Sequence, residues 1–481
     1  MGRRDFLRTA GFGTMGLVSL GVLSGTQAFA AEEESAEEAA AAAEEAPAAE
    51  AVAAPSTDEL AARDIKPGYP WMTVDEMNAF RRELIESKEG ETYTTADGME
   101  IPNVFVKLHA LINSYGLGLG SDMTANLKDD TVGRHFDEIL INFTEETAQA
   151  YLEMPWSKWF TATDFAFESG RDEADCLALC EDMATKGLLM RARRGGVPYF
   201  HQLAEAHGMW EYNMFHFDKE YTTAHQMMWG ADAVRNLYSS ETPFYYSIPC
   251  EKEVVADETI LPYDDYEAII KRNTKLAVSP CQCRLRRQVM EDFTDQAGGK
   301  ECDHPLETCI STGEEAEYYI ENGIGREITQ EEALEILKTN VEKGMVIQSA
   351  YTKATEVICS CHGDCCDILA SYVKMGSEGA GAMNQFPQVS HYLLEHNEET
   401  CIKCGACEPQ CPLYAITMDE ETGFPVVGNQ CVRCGQCGRV CPTGSRLLVQ
   451  KPLEEIPPLP DTMLDDYNLK SSYRISHGYV Y

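Results

Sequence analysis

Positive charge is scarce in this chain: 39 Lys and Arg stand against 79 Asp and Glu, for a formal net charge of −40 at pH 7. A surface of that sign repels nucleic acid and anionic lipid. Beyond residue 31, no stretch approaches the ~18 uncharged apolar residues of a spanning helix, so no integral membrane span is expected in the mature chain. Phosphate loops, flavin fingerprints and haem motifs are also missing: "GLGLGS" at Gly116–Ser121 lacks the third glycine of a dinucleotide site, and "CSCH" lacks the two-residue spacing of a c-type haem site. What the chain has instead is cysteine, nineteen in 481 residues, a length that suits two to four domains.

The first residues read "MGRRDFLRTAGFG". Arg3-Arg4-Asp5-Phe6-Leu7 resembles the core of a twin-arginine export signal, although Gly2 stands where that pattern usually has Ser or Thr. No charge follows from Thr9 to Ala31, and Ala28-Phe29-Ala30 supplies the small-x-small pattern of a cleavage site. The segment is either cleaved or kept as a membrane anchor. The resemblance implies export in the folded state, with cofactors inserted beforehand, and a periplasmic or envelope location. Residues 31–60 are mostly Ala and Glu, cannot bury a core, and read as a spacer.

Exported proteins often use cysteine for disulfides, but most of these cysteines lie in sets spaced for metal. Cys401, Cys404, Cys407 and Cys411 precede Pro412, and Cys431, Cys434, Cys437 and Cys441 precede Pro442, with the same two-two-three spacing. This is the bacterial two-cluster ferredoxin run, in which the fourth cysteine of each set serves the other cluster. Three thiolates on a tight loop wrap one face of an iron–sulfur cube, and the fourth corner needs a distant ligand. The expected sets are Cys401, Cys404, Cys407 and Cys441 for one 4Fe–4S cluster, and Cys431, Cys434, Cys437 and Cys411 for the other. Gly405 and Gly435 let the backbone turn closely around the sulfides. "LYAITMDEETGFPVVGNQ" between the runs reads as two short strands around an acidic turn. Two zinc sites are the competing reading.

Upstream, "SPCQCRLRR" gives Cys281 and Cys283, "ECDHPLETC" gives Cys302 and Cys309, and "VICSCHGDCC" gives Cys359, Cys361, Cys365 and Cys366. Thr329 with Glu332 forms a capping box that opens a helix to about Lys343, and "MVIQS" after Gly344 reads as a strand, so the cysteine loops can converge. Residues 240–450 resemble a group of little-characterised iron–sulfur proteins with a Cys-x-Cys-Arg loop, a Cys-six-Cys loop and paired cysteines before a ferredoxin module. One or two further clusters are expected here, with disulfides as the alternative. Adjacent Cys365 and Cys366 would be strained as ligands of one metal, and so serve different sites or leave one spare. Arg284, Arg286 and Arg287 either balance the charge of a cluster or lie on the surface. His304 and His362 either coordinate or stand beside the ligands.

Residues 61–240 show no metal-ligand pattern. Thr163 is read as the cap of a short helix ending near Gly170; Glu173–Thr185 has helical periodicity and Gly187 ends it; "LLMRAR", "RGG" and "VPYFHQ" read as strand, turn and strand. The order resembles a winged helix, with Lys186, Arg191, Arg193 and Arg194 as a small basic cluster. Export and acidity favour a scaffold for protein contacts over DNA binding. Cys176 and Cys180 share one helix face and suit the core, Cys250 has no assigned role, and "HGMWEYNMFHF" is core or a partner-facing patch.

The expectation is an α+β multidomain protein: signal (1–30), Ala/Glu linker (31–60), winged-helix-like domain (61–240), cysteine-rich α/β domain (241–394), ferredoxin-like two-cluster domain (395–450) and a tail (451–481). The expected role is electron relay with a periplasmic or membrane-associated oxidoreductase, and no nucleic acid is expected as a partner. The alternatives are a reductase acting on a small substrate at a middle-domain cluster and, more remotely, a redox-sensing regulator.

Overall fold

The computed structural model describes residues 72–94, 98–116, 136–214, 217–229, 242–256, 260–292, 302–377, 390–457, 459–478 and 480. The expected export signal and Ala/Glu linker and most of "GLGLGS" lie outside the described residues. Among the described residues, no helix is long and apolar enough to cross a membrane.

Among the described residues, the N-terminal region is helical apart from two hairpins. The shorter pairs β1 (Tyr93–Thr94) with β2 (Glu100–Ile101). Threonine caps set the helix starts. Thr73 opens Val74–Ser87 and Thr144 opens Glu145–Glu153, each answered by the side chain three residues on. Helix Ala162–Ser169 is capped by Thr161, not by Thr163 as expected. Asp164 lies three residues after Thr161 and accepts from its amide, which completes the box, while the Thr163 hydroxyl donates to Glu173. Helix Glu173–Thr185, capped by Asp172, buries Cys176 and Cys180 in the core. The longer hairpin follows, β3 (Leu189–Arg194) and β4 (Val197–Gln202) in register from Leu189↔Gln202 to Arg194↔Val197.

The basic cluster on this hairpin is neutralised within the chain. Arg191 and Arg193 each bridge Glu181 and Glu321, and Arg194 pairs with Glu314 and stands 4.2 Å over the Trp159 ring. Glu314 and Glu321 belong to helix Gly313–Glu321 of the middle region. These ion pairs fix the hairpin to that region and leave little free charge for phosphate. The "HGMWEYNM" stretch, His207–Met214, is buried core.

The middle region is built on a six-stranded sheet: β5 (Tyr245–Ser247), β6 (Leu276–Pro280), β7 (Glu307–Thr312), β8 (Arg326–Glu327), β9 (Val346–Ala350) and β10 (Val357–Cys361), in the order β5-β9-β10-β7-β6-β8. Every pairing in it is antiparallel. This corrects the α/β expectation for residues 241–394, because α/β layering requires parallel strands joined by crossover helices. Antiparallel sheets commonly leave one face wet, yet both faces are buried here. Ala277, Cys309 and Val357 face the N-terminal core, and their neighbours Val278, Ile310 and Ile358 face a second core. Helix Gln330–Glu342, capped by Thr329, covers that second face with Ala333, Leu337 and Val341.

In the C-terminal part, β11 (Tyr392–His396) pairs with β14 (Arg446–Gln450), and β12 (Ile416–Met418) pairs with β13 (Pro425–Val427) around the acidic turn. The stretch after Lys451 holds helix Met463–Ser476, whose Met463 and Tyr467 enter the N-terminal core. Arg474 is buried there and donates to the Tyr115 carbonyl at 3.1 Å.

The start of this last helix rests on a half-buried acid. The Met463 amide donates to Glu356 Oε1 at 2.7 Å. Burial, only partly offset by bonds from Thr352 and that amide, raises the Glu356 carboxyl from 4.5 to about 7. A raised carboxyl favours the fold while neutral, so its contribution is complete below the unfolded value and is lost as pH rises through about 7. The loss is worth about 3 kcal/mol. Anaerobic urea unfolding should therefore show stability falling between about pH 4.5 and about pH 7, and Glu356→Gln should make that fall shallower, with the buried Glu138 carboxyl, also raised to about 7, supplying part of the remainder.

Candidate iron–sulfur centres

The two cysteine runs repeat their backbone as well as their sequence. Lys403 and Arg433, one residue before the second cysteine of each run, are left-handed at φ 57° and 55°. Gly405 and Gly435 follow at 73° and 86°, and Tyr414 and Gly444, two past each closing proline, stand at 53° and 62°. Non-glycine residues rarely occupy this region. Its recurrence at matched positions makes two loops of matching backbone conformation.

Around the first loop, Cys401, Cys404, Cys407 and Cys441 line a cavity with Met418 and Arg446. Cys441, the last cysteine of the second run, thus joins the first three of the first run. Cys411 stands instead with the second run, where its charge pushes up the thiols of Cys431 and Cys434 after burial has done most of that work. Arg446 is 1% exposed, and among the described residues its three guanidinium nitrogens have no oxygen or nitrogen acceptor. Its charge works against burial to lower the thiols of Cys407, Cys431 and Cys437. A buried guanidinium with no oxygen or nitrogen acceptor among the described residues, set among thiols of both runs, fits a site made for negatively charged clusters.

The middle-region cysteines divide into two groups. Six form an open ring of thiol contacts: Cys281 to Cys283, Cys283 to Cys366, Cys366 to Cys361, Cys361 to Cys359, and Cys359 to Cys309. Hydrogen bonds from their neighbours hold Cys281, Cys359 and Cys366 below the ordinary thiol value, whereas Cys283, Cys309 and Cys361 are pushed up by donating. The other two, Cys302 and Cys365, touch each other. Neighbouring Cys365 and Cys366 therefore face different groups.

The three arginines are buried rather than displayed on the surface. Arg284 donates to the Ser360 carbonyl at 3.3 Å and lies 3.7 Å from the Cys365 sulfur; Thr308 also accepts from it. Arg286 grips Asp367 with two nitrogens at 3.0 and 2.7 Å, and Arg287 reaches the same carboxylate at 2.8 Å. Two arginines on one aspartate fix the helix that follows Cys366 against the helix that follows Cys281.

The thiol ring and the second ferredoxin run are neighbours. Cys361, Cys366 and Cys434 share one apolar cluster with Val346, Leu369 and Val432, and Cys411 and Cys431 pack against it. The Gly363 amide donates to the Pro412 carbonyl at 2.9 Å, and a Cβ on Gly363 would lie 2.4 Å from that oxygen. Only glycine permits so close a join between the two cysteine loops. Cys250 fills a related place: its amide donates to the Cys434 carbonyl at 2.9 Å, and its sulfur packs against Gly435. Neither Cys250 nor Arg446 is marked by any sequence pattern, since neither belongs to a spaced set.

Residues 400–445 match the family model of the 4Fe-4S dicluster domain. No curated protein and no solved structure matches the chain. The C-terminal domain is thus a ferredoxin-like iron–sulfur domain with two 4Fe–4S clusters, and its role is electron transfer with a redox partner.

Proposed function

We propose that this protein is an exported electron relay that passes single electrons between a donor in the cell envelope and a partner oxidoreductase. Its clusters, when bound, supply one-electron storage; the chain supplies ligands, dry surroundings and a surface for docking. The observation that carries the reading is the apolar cluster shared by the second ferredoxin run and the six-thiol ring. It joins two ligand sets through packed side chains and excludes water between them. Cys404 of the first run is exposed, which gives the series an end at the surface. The six-thiol ring has enough donors for a further 4Fe–4S cluster, for which four suffice.

A second reading, direct reduction of a small substrate, draws support from the partly exposed His304, His362 and Asp364 beside the ring. The two readings separate in an anaerobic assay of the dithionite-reduced protein. The relay reading expects reoxidation only when a partner and its substrate are present; repeated turnover on a small molecule alone supports the second. A DNA-regulator role is disfavoured by the paired arginines of the hairpin.

Location rests on the opening arginine pair. Replacing Arg3 and Arg4 together by Lys keeps the charge and should abolish export, with the protein retained in the cytoplasmic fraction on immunoblotting. Unchanged export of that variant would remove the twin-arginine assignment.

A further inference from the structure

The two cysteines left out of the thiol ring do not stand alone. Cys302 Sγ, Cys365 Sγ and a carboxylate oxygen of Asp364 lie within 4.8 Å of one another. A ring nitrogen of His304, one of His362 and an oxygen of Asp364 also lie within 4.8 Å of one another. The two triads share Asp364. Tetrahedral coordination with bonds of about 2.0–2.3 Å sets donors roughly 3.3–3.8 Å apart, so one ion held by both triads requires the two loops to draw in around the shared Asp364 carboxylate.

Two short chelating loops deliver them. One reads Cys302-Asp303-His304 and the other His362-Gly363-Asp364-Cys365. The second is a tight turn, in which the amides of Cys365 and Cys366 both donate to the His362 carbonyl, at 3.2 and 2.9 Å. The His304 and His362 rings stand 4.6 Å apart, and the His362 ring meets that of Tyr414, beyond Cys411, at 6.1 Å. Side-chain exposure is 9% for His304, 16% for His362 and 13% for Asp364. The group is shielded but reachable.

We propose that Cys302, Cys365, His304 and His362, with Asp364 between them, form a mononuclear site for one divalent metal ion of the zinc or ferrous-iron class, separate from the iron–sulfur clusters. Mixed thiolate and imidazole donors select such ions, whereas a cluster of sulfide-bridged iron takes thiolates from a wider cage. The Cys365 sulfur meets Cys302 and Arg284, while the six ring thiols meet one another. Arg284 balances the negative charge that two thiolates and a carboxylate leave around a dication. The site belongs to the chain whether or not the relay reading holds, because metal content is measured without electron transfer.

The test uses the full-length protein purified without oxygen, with iron and zinc counted by elemental analysis and acid-labile sulfide counted chemically. The expected result is one metal per chain beyond the iron matched by sulfide. His304→Ala with His362→Ala should remove that one equivalent and leave sulfide unchanged. The sulfide count also reports whether the variant has kept its clusters; should it lose them, Cys302→Ala in a separate preparation must lose the same single equivalent with sulfide intact. Three results overturn the proposal: total metal equal to sulfide-matched iron, loss of sulfide in Cys302→Ala, or a Cys302–Cys365 disulfide in the anaerobic protein by mass spectrometry.

Discussion

Cys441→Ala should empty the cluster of the first cysteine run, and Cys411→Ala that of the second. Each change removes about four irons, the content of one 4Fe–4S cube, and stops transfer through the domain. Iron loss alone does not reveal which cluster has gone, so the decisive comparison is between double variants. Cys441→Ala added to Cys404→Ala should cost nothing further, because both residues line one cavity. Cys411→Ala added to Cys404→Ala should remove about eight irons, since Cys411 stands with Cys431 and Cys434. The reverse pattern, with Cys411 and Cys404 acting as one, would show that each run closes its own cluster. The physical basis is the reach of the tight loop, which presents three thiols to one face and turns the fourth away.

Arg446→Met should lower the midpoint potentials of the ferredoxin-domain clusters by an amount of the order of 100 mV. A unit charge ~6 Å away at an effective dielectric of ~20 is worth about 3 kcal/mol, and one-electron transfer converts that at about 42 mV per kcal/mol. Arg446 is buried, lines the first cavity and acts on thiols of both runs. Methionine fills a comparable volume without the charge, so the cluster ligands stay in place while reduction becomes harder. Arg446→Lys keeps the charge and should recover most of the shift. Anaerobic redox titration followed by EPR reads both. Potentials unchanged within about 20 mV would mean that the guanidinium charge is neutralised by something other than the clusters.

The parts legible from sequence are those whose cause is local. Helices Glu173–Thr185 and Gln330–Glu342 announce themselves through periodicity and an adjacent cap, and the hairpin after Gly187 through its Gly-Gly turn. The ferredoxin runs are legible because all eight ligands lie in two spaced sets confined to about forty residues. Thr163 was the wrong cap for a local reason as well: two threonines lie two apart, and only Thr161 has an acid three residues on. What stayed hidden depends on distant segments. Both faces of the antiparallel sheet are buried because helices from different regions cover it, which no strand pattern states. The division of eight middle cysteines into six and two follows from the turn at His362–Cys366 and from where Cys302 arrives. The burial of Arg284, Arg286 and Arg287 depends on Asp367 and on the Cys365 sulfur, residues roughly eighty positions away.

The central claim is that electrons pass through this chain to a partner instead of being consumed within it. The measurement that bears on it most directly is anaerobic stopped-flow of the dithionite-reduced, full-length protein, following the visible bleach of its clusters. Candidate small substrates should leave the reduced spectrum unchanged, adding the partner oxidoreductase with its substrate should restore the oxidised spectrum, and Cys404→Ala or Cys434→Ala should abolish the recovery. Sustained turnover of a small molecule with no partner present, retained in Cys404→Ala, would contradict it.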